Sequence, residues 1–332
     1  MTLPASPASI SFSQIQTEYG GSNPISLSEY YGSQSGYVAP GMGIPSSGSI
    51  SVSSFRSTHK AVMYYRNAQS VTTTGDESVI TFSTSGSSGL LRPDFGSLQI
   101  RVLIVGPGGT AGAASRAGGG GGGGAIDFSG LSLSSGTDYS VTVGSTVNTY
   151  DGYGNITGST KVNSSIGSVI YATPGGDGTG SGDYGRYAVA GDSGYVVYNG
   201  SVIASSYVGG NYNGSGGYKT GTGWGAGGGG GAGGVGVDGL VYNQAAYGGS
   251  GIYSQITGVS TLYVGGGGNG SSSCGYLASN GYGGGYAGAY GQKGGNGTPN
   301  TGGGSGAGCA NAAGAPGNGL VIVRGKFTAI AY

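Results

Sequence analysis

Tyrosine set among glycine, serine and asparagine is the pattern in this sequence best able to do chemistry, and that chemistry is recognition. Tyr184, Tyr187, Tyr212, Tyr218, Trp224, Tyr247, Tyr253, Tyr282, Tyr286 and Tyr290 all sit in such surroundings. A tyrosine ring gives a large amphipathic contact at low entropic cost, while Ser, Gly and Asn adapt their hydrogen bonding around it. These ten residues are therefore the receptor-binding candidates. Trp224 and the cluster from 282 to 290 lead them, because only short side chains surround them. Roughly half of these loop tyrosines are expected to be structural, packing over glycine faces or between loops.

Catalytic patterns are weaker. His59 is the only histidine and has no nucleophile motif beside it. Glycoside hydrolysis usually needs two carboxylates flanking the bond, yet no Glu follows Glu77 and no acid follows Asp238. Asp177, Asp183 and Asp192 read as turn residues, and their spacing is not that of an EF-hand. The run VLIVGPGGTAG at 102–112, with Asp127 downstream, imitates a dinucleotide fingerprint. That motif requires a helix directly after its glycines to hold the pyrophosphate, and here the stretch ends in seven consecutive glycines. No Gly-x4-Gly-Lys-Ser/Thr loop occurs. The expectation is a non-enzyme with no catalytic residue, no metal and no cofactor.

What must position the tyrosines is glycine itself. Of 332 residues, 83 are Gly, against an average usage of about 7%. Runs occur at 118–124, 227–231 and 265–268. Such runs cannot form a helix or a packed strand alone, since glycine loses the most backbone entropy and buries no side chain. Disorder would go with low hydrophobicity and high net charge, but the net charge is zero and the chain has 26 Tyr. Collagen would need a strict Gly-X-Y period. The remaining geometry is polyglycine II, a threefold extended helix without internal hydrogen bonds. Its N–H and C=O groups must then be satisfied by neighbouring chains, in a hexagonally packed bundle.

The zero net charge speaks against nucleic acid as a partner, and no 18-residue apolar stretch predicts membrane insertion. The opening residues lack the basic and apolar regions of a signal peptide. Cys274 and Cys309 fit one disulfide or two small buried thiols; two cysteines in so long a chain are no disulfide framework.

The first residues carry a threefold echo: Ile10-Ser11-Phe12-Ser13-Gln14-Ile15, Ile25-Ser26-Leu27-Ser28-Glu29-Tyr30 and Ile50-Ser51-Val52-Ser53-Ser54-Phe55. The alternation suits short extended segments, while Ser13 with Gln16, or Ser26 with Glu29, has capping-box spacing for a brief helical turn. These segments look too short to bury a core of their own, so they are expected to dock on a partner. Strand signals follow at 79–83, 98–105, 125–128, 139–143, 169–172, 195–198, 261–264 and 320–324. The expected fold is all-β: a β-sandwich-like framework with a polyglycine-II lattice and long loops over 67–332, preceded by an extended N-terminal arm over 1–66.

Two portions resemble known proteins. Ile10–Gly32, ISFSQIQTEYGGSNPISLSEYYG, resembles the N-terminal segment of many tailed-bacteriophage virion proteins. The stretch from LQIRVLIVGPGG through the glycine run to TDYSVTVG, closed by GLVIVR, resembles the glycine-rich domain of phage tail proteins. Similar runs occur in tip adhesins of T-even-type long tail fibres, where polyglycine-II helices form a sandwich and variable loops recognise the host. This chain departs from those adhesins in its N-terminal arm, so their fibre attachment does not carry over. The resemblance implies a virion structural protein, a tail-fibre or tail-tip component assembled in the host cytoplasm and acting outside the cell. It implies a homo-oligomer, with a trimer favoured, and a host-surface glycan or receptor as ligand. The arm would join other virion proteins through Ile10, Phe12, Ile15, Tyr19, Ile25, Leu27, Tyr30 and Tyr31. The rival reading is a purely architectural protein, such as a head decoration or tail accessory, that binds no receptor.

Overall fold

The computed structural model describes residue 3 and segments 9–19, 26–31, 44–45, 47–55, 61–74, 77–94, 97–112, 117–150, 156–179, 191, 193–203, 219–220, 223–224, 227–237, 246–267, 284–286, 288, 292–308 and 312–332. The architecture is all-β, with a sandwich of two sheets as its framework. One sheet has five strands in the order 70–74, 77–82, 320–325, 97–105, 125–134, all antiparallel. The other has eight, running from 201–202 at one edge through 196–198, 170–172, 164–166, 139–142, 88–93 and 62–66 to 328–331. Its pairs are antiparallel except 62–66 with 328–331. Val62–Arg66 thus belongs to the sandwich and not to the N-terminal unit, where the 66/67 boundary had placed it.

The apolar runs explain the layering. In the strand Ser97–Val105 successive side chains alternate between faces. Val102 and Ile104 enter the core shared with the eight-stranded sheet, alongside Met63, Leu91, Val141 and Ile166. Leu103 and Val105 face the other way, with Leu320 and Ile322, and are covered by Ile256, Tyr263 and Val264. Both faces are buried, which is why LQIRVLIV and LVIVR read as continuous apolar runs.

At one end of the sandwich the strands continue directly into glycine segments, at Val105–Gly106, Gly124–Ala125, Ala172–Thr173 and Gly319–Leu320. Segment 118–124 is the axis of the resulting lattice, and it is fully buried. Its N–H groups donate in strict rotation: 118, 121 and 124 to the carbonyls of 179, 176 and 173; 119 and 122 to 227 and 230; 120 and 123 to 305 and 302, all at 2.7–3.1 Å. Its carbonyls accept with the same period: 118, 121 and 124 from the amides of 112, 109 and 106; 119 and 122 from 191 and 194; 120 from 267. A return to the same neighbour every third residue is the mark of the threefold helix. Three donated and three accepted directions give six neighbours around one chain. A Cβ on Gly120 would collide with the Gly109 carbonyl, and one on Gly267 with the Ser305 carbonyl, so glycine here is a steric requirement.

The N-terminal segment departs from expectation in burying a core of its own. Of the two local geometries the repeats allowed, extended segment or brief helical turn, the structure takes the helical one, at Phe12–Tyr19, Leu27–Tyr30 and Val52–Phe55. Within each, the two serine hydroxyls bond to each other: Ser11–Ser13 at 2.9 Å, Ser26–Ser28 at 2.7 Å and Ser51–Ser53 at 2.7 Å. Ser26 and Glu29 form a complete capping box. In the first repeat Ser11 and Gln14 make the reciprocal pair: the Ser11 amide donates to Gln14 Oε1 at 2.8 Å, and the Gln14 amide to Ser11 Oγ at 3.2 Å. The sixth residue of every copy, Ile15, Tyr30 and Phe55, is fully buried. With Tyr19 they build a small core whose rings lie 5.6–6.0 Å apart. The segments do bury a core of their own, because three copies pool one large side chain each.

Candidate functional site: a cleft beside the five-stranded sheet

The cleft grows from a defect in strand pairing. Opposite Ile100 and Arg101 the strand Ala125–Ser134 carries one extra residue, Gly130, whose φ is +91°. A bulge of this kind turns the neighbouring side chains, and Ser129 faces the cleft. On the same sheet face Arg101 and Asp127 form a two-pronged ion pair, Nε to Oδ1 at 2.7 Å and Nη2 to Oδ2 at 2.6 Å. The Asp127 carboxylate bonded to Arg101 raises the guanidinium pKa further above its already high value, against the opposing effect of burial. Beside this pair Arg324 Nε donates to Glu77 at 2.9 Å, and its Nη1 to the Ile256 carbonyl at 3.0 Å.

The wall across the sheet is a hairpin, Ile252–Ser254 paired with Thr261–Tyr263. Its turn is fixed from below: Ile256 is fully buried, the Ser254 hydroxyl donates to Asp127, and the Ile256 amide donates to Ser254 Oγ at 3.1 Å. Tyr253 therefore stands 68% exposed on a rigid support. Arg101, Asp127, Ser129, Tyr253, Ser254, Gln255 and Ser260 line a cleft of about 370 Å³. Among the described residues, the side chains of Ser129, Tyr253, Gln255 and Ser260 make no hydrogen bond, so their polar groups are available to a ligand.

Of the tyrosine candidates, Tyr247 and Tyr286 are also exposed, and both sit on lattice chains. The Tyr247 carbonyl accepts from the Val237 amide at 2.9 Å, and the Tyr286 carbonyl from the Gly295 amide at 2.7 Å. The three are not brought into one site, since only Tyr253 lines the cleft. Trp224 lies in a two-residue strand, with its side chain outside the described part. Tyr184, Tyr187, Tyr212, Tyr218, Tyr282 and Tyr290 lie outside the described residues, as do His59, Asp183, Asp192, Cys274 and Cys309.

Other expectations change in place. Asp127 is committed to Arg101 and Ser254. Asp177 is a lattice knot that accepts from the Thr110 amide at 2.8 Å, the Ser159 hydroxyl at 2.7 Å and Lys161 Nζ at 2.8 Å. Among the anchoring candidates, Ile15, Tyr19 and Tyr30 are spent on their own core, and Ile10 and Leu27 pack against it. The Tyr31 hydroxyl donates to the Gly48 carbonyl. Phe12 is 45% exposed, and Ile25 is outside the described residues. Arg101, Ser129, Gln255 and Ser260 were missed from sequence. The available signal was a charged residue interrupting an apolar strand.

The chain matches no protein-family model and no curated protein.

Proposed function

We propose that this chain is a structural component of a tailed-phage particle, in a tail fibre or tail tip, and that it presents tyrosines to the host surface. The six-around-one glycine lattice carries this reading. It holds Tyr247 and Tyr286 on chains tied sideways through their own peptide groups, and rigid presentation lowers the ordering penalty of binding. The three-turn N-terminal unit attaches the chain to other virion proteins. Because Ile15, Tyr19 and Tyr30 point inward, its outer surface, Phe12 included, makes that contact. The assembly is a homo-oligomer, a trimer by the tail-fibre resemblance. The chain performs no catalysis in this reading.

The test is adsorption. Purified protein should bind cells that the phage infects and should compete with infection, and antibodies against it should label the tail on whole particles. Labelling of the head, with neither adsorption nor competition, would replace this reading with a purely architectural one.

A further inference from the structure

We infer that the cleft between the Gly130 bulge and the 252–263 hairpin binds one neutral sugar ring of a glycan. This deepens the host-surface reading and rests on it, adding to the lattice tyrosines a contact on the face of the five-stranded sheet.

Charge selects the ligand class first. Among the described residues the one cation lining the cleft, Arg101, is held by Asp127, and Arg324 beside it is held by Glu77. A phosphate, sulfate or acidic sugar would find no unpaired cation, and an amine no unpaired carboxylate. The remaining polar groups are hydroxyls and an amide, from Ser129, Ser260, Tyr253 and Gln255. Each can donate and accept, as the hydroxyls of a sugar also do. The exposed Tyr253 ring adds a flat apolar surface for the C–H face of a pyranose, while its hydroxyl stays wet.

Size and stiffness agree. A volume of about 370 Å³ lies at the small end of ligand pockets, about 300–1,000 Å³, and suits a ring or two. The lining is fixed by strand pairing, by the two-pronged Arg101–Asp127 bond and by buried Ile256. Sites on such supports hold their geometry better than free loops.

Saturation-transfer NMR on the full chain can test this, with neutral hexoses, N-acetylhexosamines and their disaccharides as probes and methyl phosphate and an acidic sugar as contrasts. At least one neutral sugar should bind. Tyr253→Ala should weaken it about tenfold or more, Gln255→Ala a few-fold, and Tyr286→Ala not at all. Both cleft substitutions are exposed, and unchanged thermal unfolding would confirm that the variants fold. Absence of neutral-sugar binding, indifference to Tyr253→Ala, or preference for methyl phosphate overturns the assignment. Adsorption to cells supplies the separate readout. Adsorption that survives Tyr253→Ala but is lost in Tyr286→Ala removes the cleft and keeps the host-surface reading. Sugar binding without any adsorption removes the host-surface reading and keeps the cleft.

Discussion

The sandwich and the glycine lattice are buried equally well by opposite means. In the sandwich, Phe82, Leu91, Ile104 and Val323 exclude water by filling volume with side chains. In the lattice, 118–124 excludes water because nothing projects between its main chains and their six neighbours. The first kind of interior tolerates shape-conserving exchange and penalises loss of volume. The second penalises any gain at all. Specificity can thus be written in which side chains are present, or in their absence.

The comparison is most easily broken by adding one methyl group. Gly120→Ala places a Cβ against the Gly109 carbonyl and should destabilise by more than about 4 kcal/mol, or prevent folding. Gly86→Ala is the control: nothing lies within 4 Å of its Cβ, and only its positive φ is disturbed, so about 1 kcal/mol is expected. Denaturant melts of the two should differ clearly; equal melts would mean the lattice is loose. Phe82→Ala in the sandwich should come next, at about 3–5 kcal/mol by the same measurement. Slow amide exchange at 119–122, comparable with that of Val102 and Val323, would place both interiors in one cooperative unit.

Smaller effects sharpen the boundary between the two. Tyr263 closes the outer sheet face near the lattice, and burial raises its pKa above the ordinary value of 10.0. A raised pKa means the folded state keeps the proton longer. Its contribution is therefore complete below about pH 10 and lost as pH rises through the folded value. Alkaline unfolding monitored by tyrosinate absorbance should be delayed in Tyr263→Phe. Least of all, Ser26→Ala removes one cap in the N-terminal unit and should cost about 1 kcal/mol, with no effect on the lattice.

Much of this was legible in the residues, and the misses have physical causes. LQIRVLIV and LVIVR announced two strands, and the seven-glycine run announced a side-chain-free interior. The partners of that run could not be read, because identical glycines carry no register; only backbone geometry pairs Gly120 with Ser305. Ser70–Thr74 escaped notice because it is a polar edge strand with little buried surface, and Ser164–Ile166 because it is three residues long. The capped turn at Ser26 and Glu29 was legible from its spacing, but the core was not, since each repeat offers one large side chain and only the folded chain pools Ile15, Tyr30 and Phe55. In the cleft, Tyr253 was legible as a binding candidate from its Gly and Ser surroundings, and its exposure came only with the structure. Its companions depend on the Gly130 bulge, which no local pattern declares.

The strand Leu320–Gly325 lies in the middle of the five-stranded sheet, pairing with 77–82 on one side and 97–105 on the other. Two strands made early in synthesis therefore wait more than two hundred residues for the one that joins them. During translation the inner sheet stays open along its centre, exposing apolar edges to aggregation until its last member leaves the ribosome. Folding of this sheet is in effect timed by the arrival of Leu320–Gly325, and a nascent chain halted before residue 320 should bind chaperones where one that has emerged through residue 325 does not.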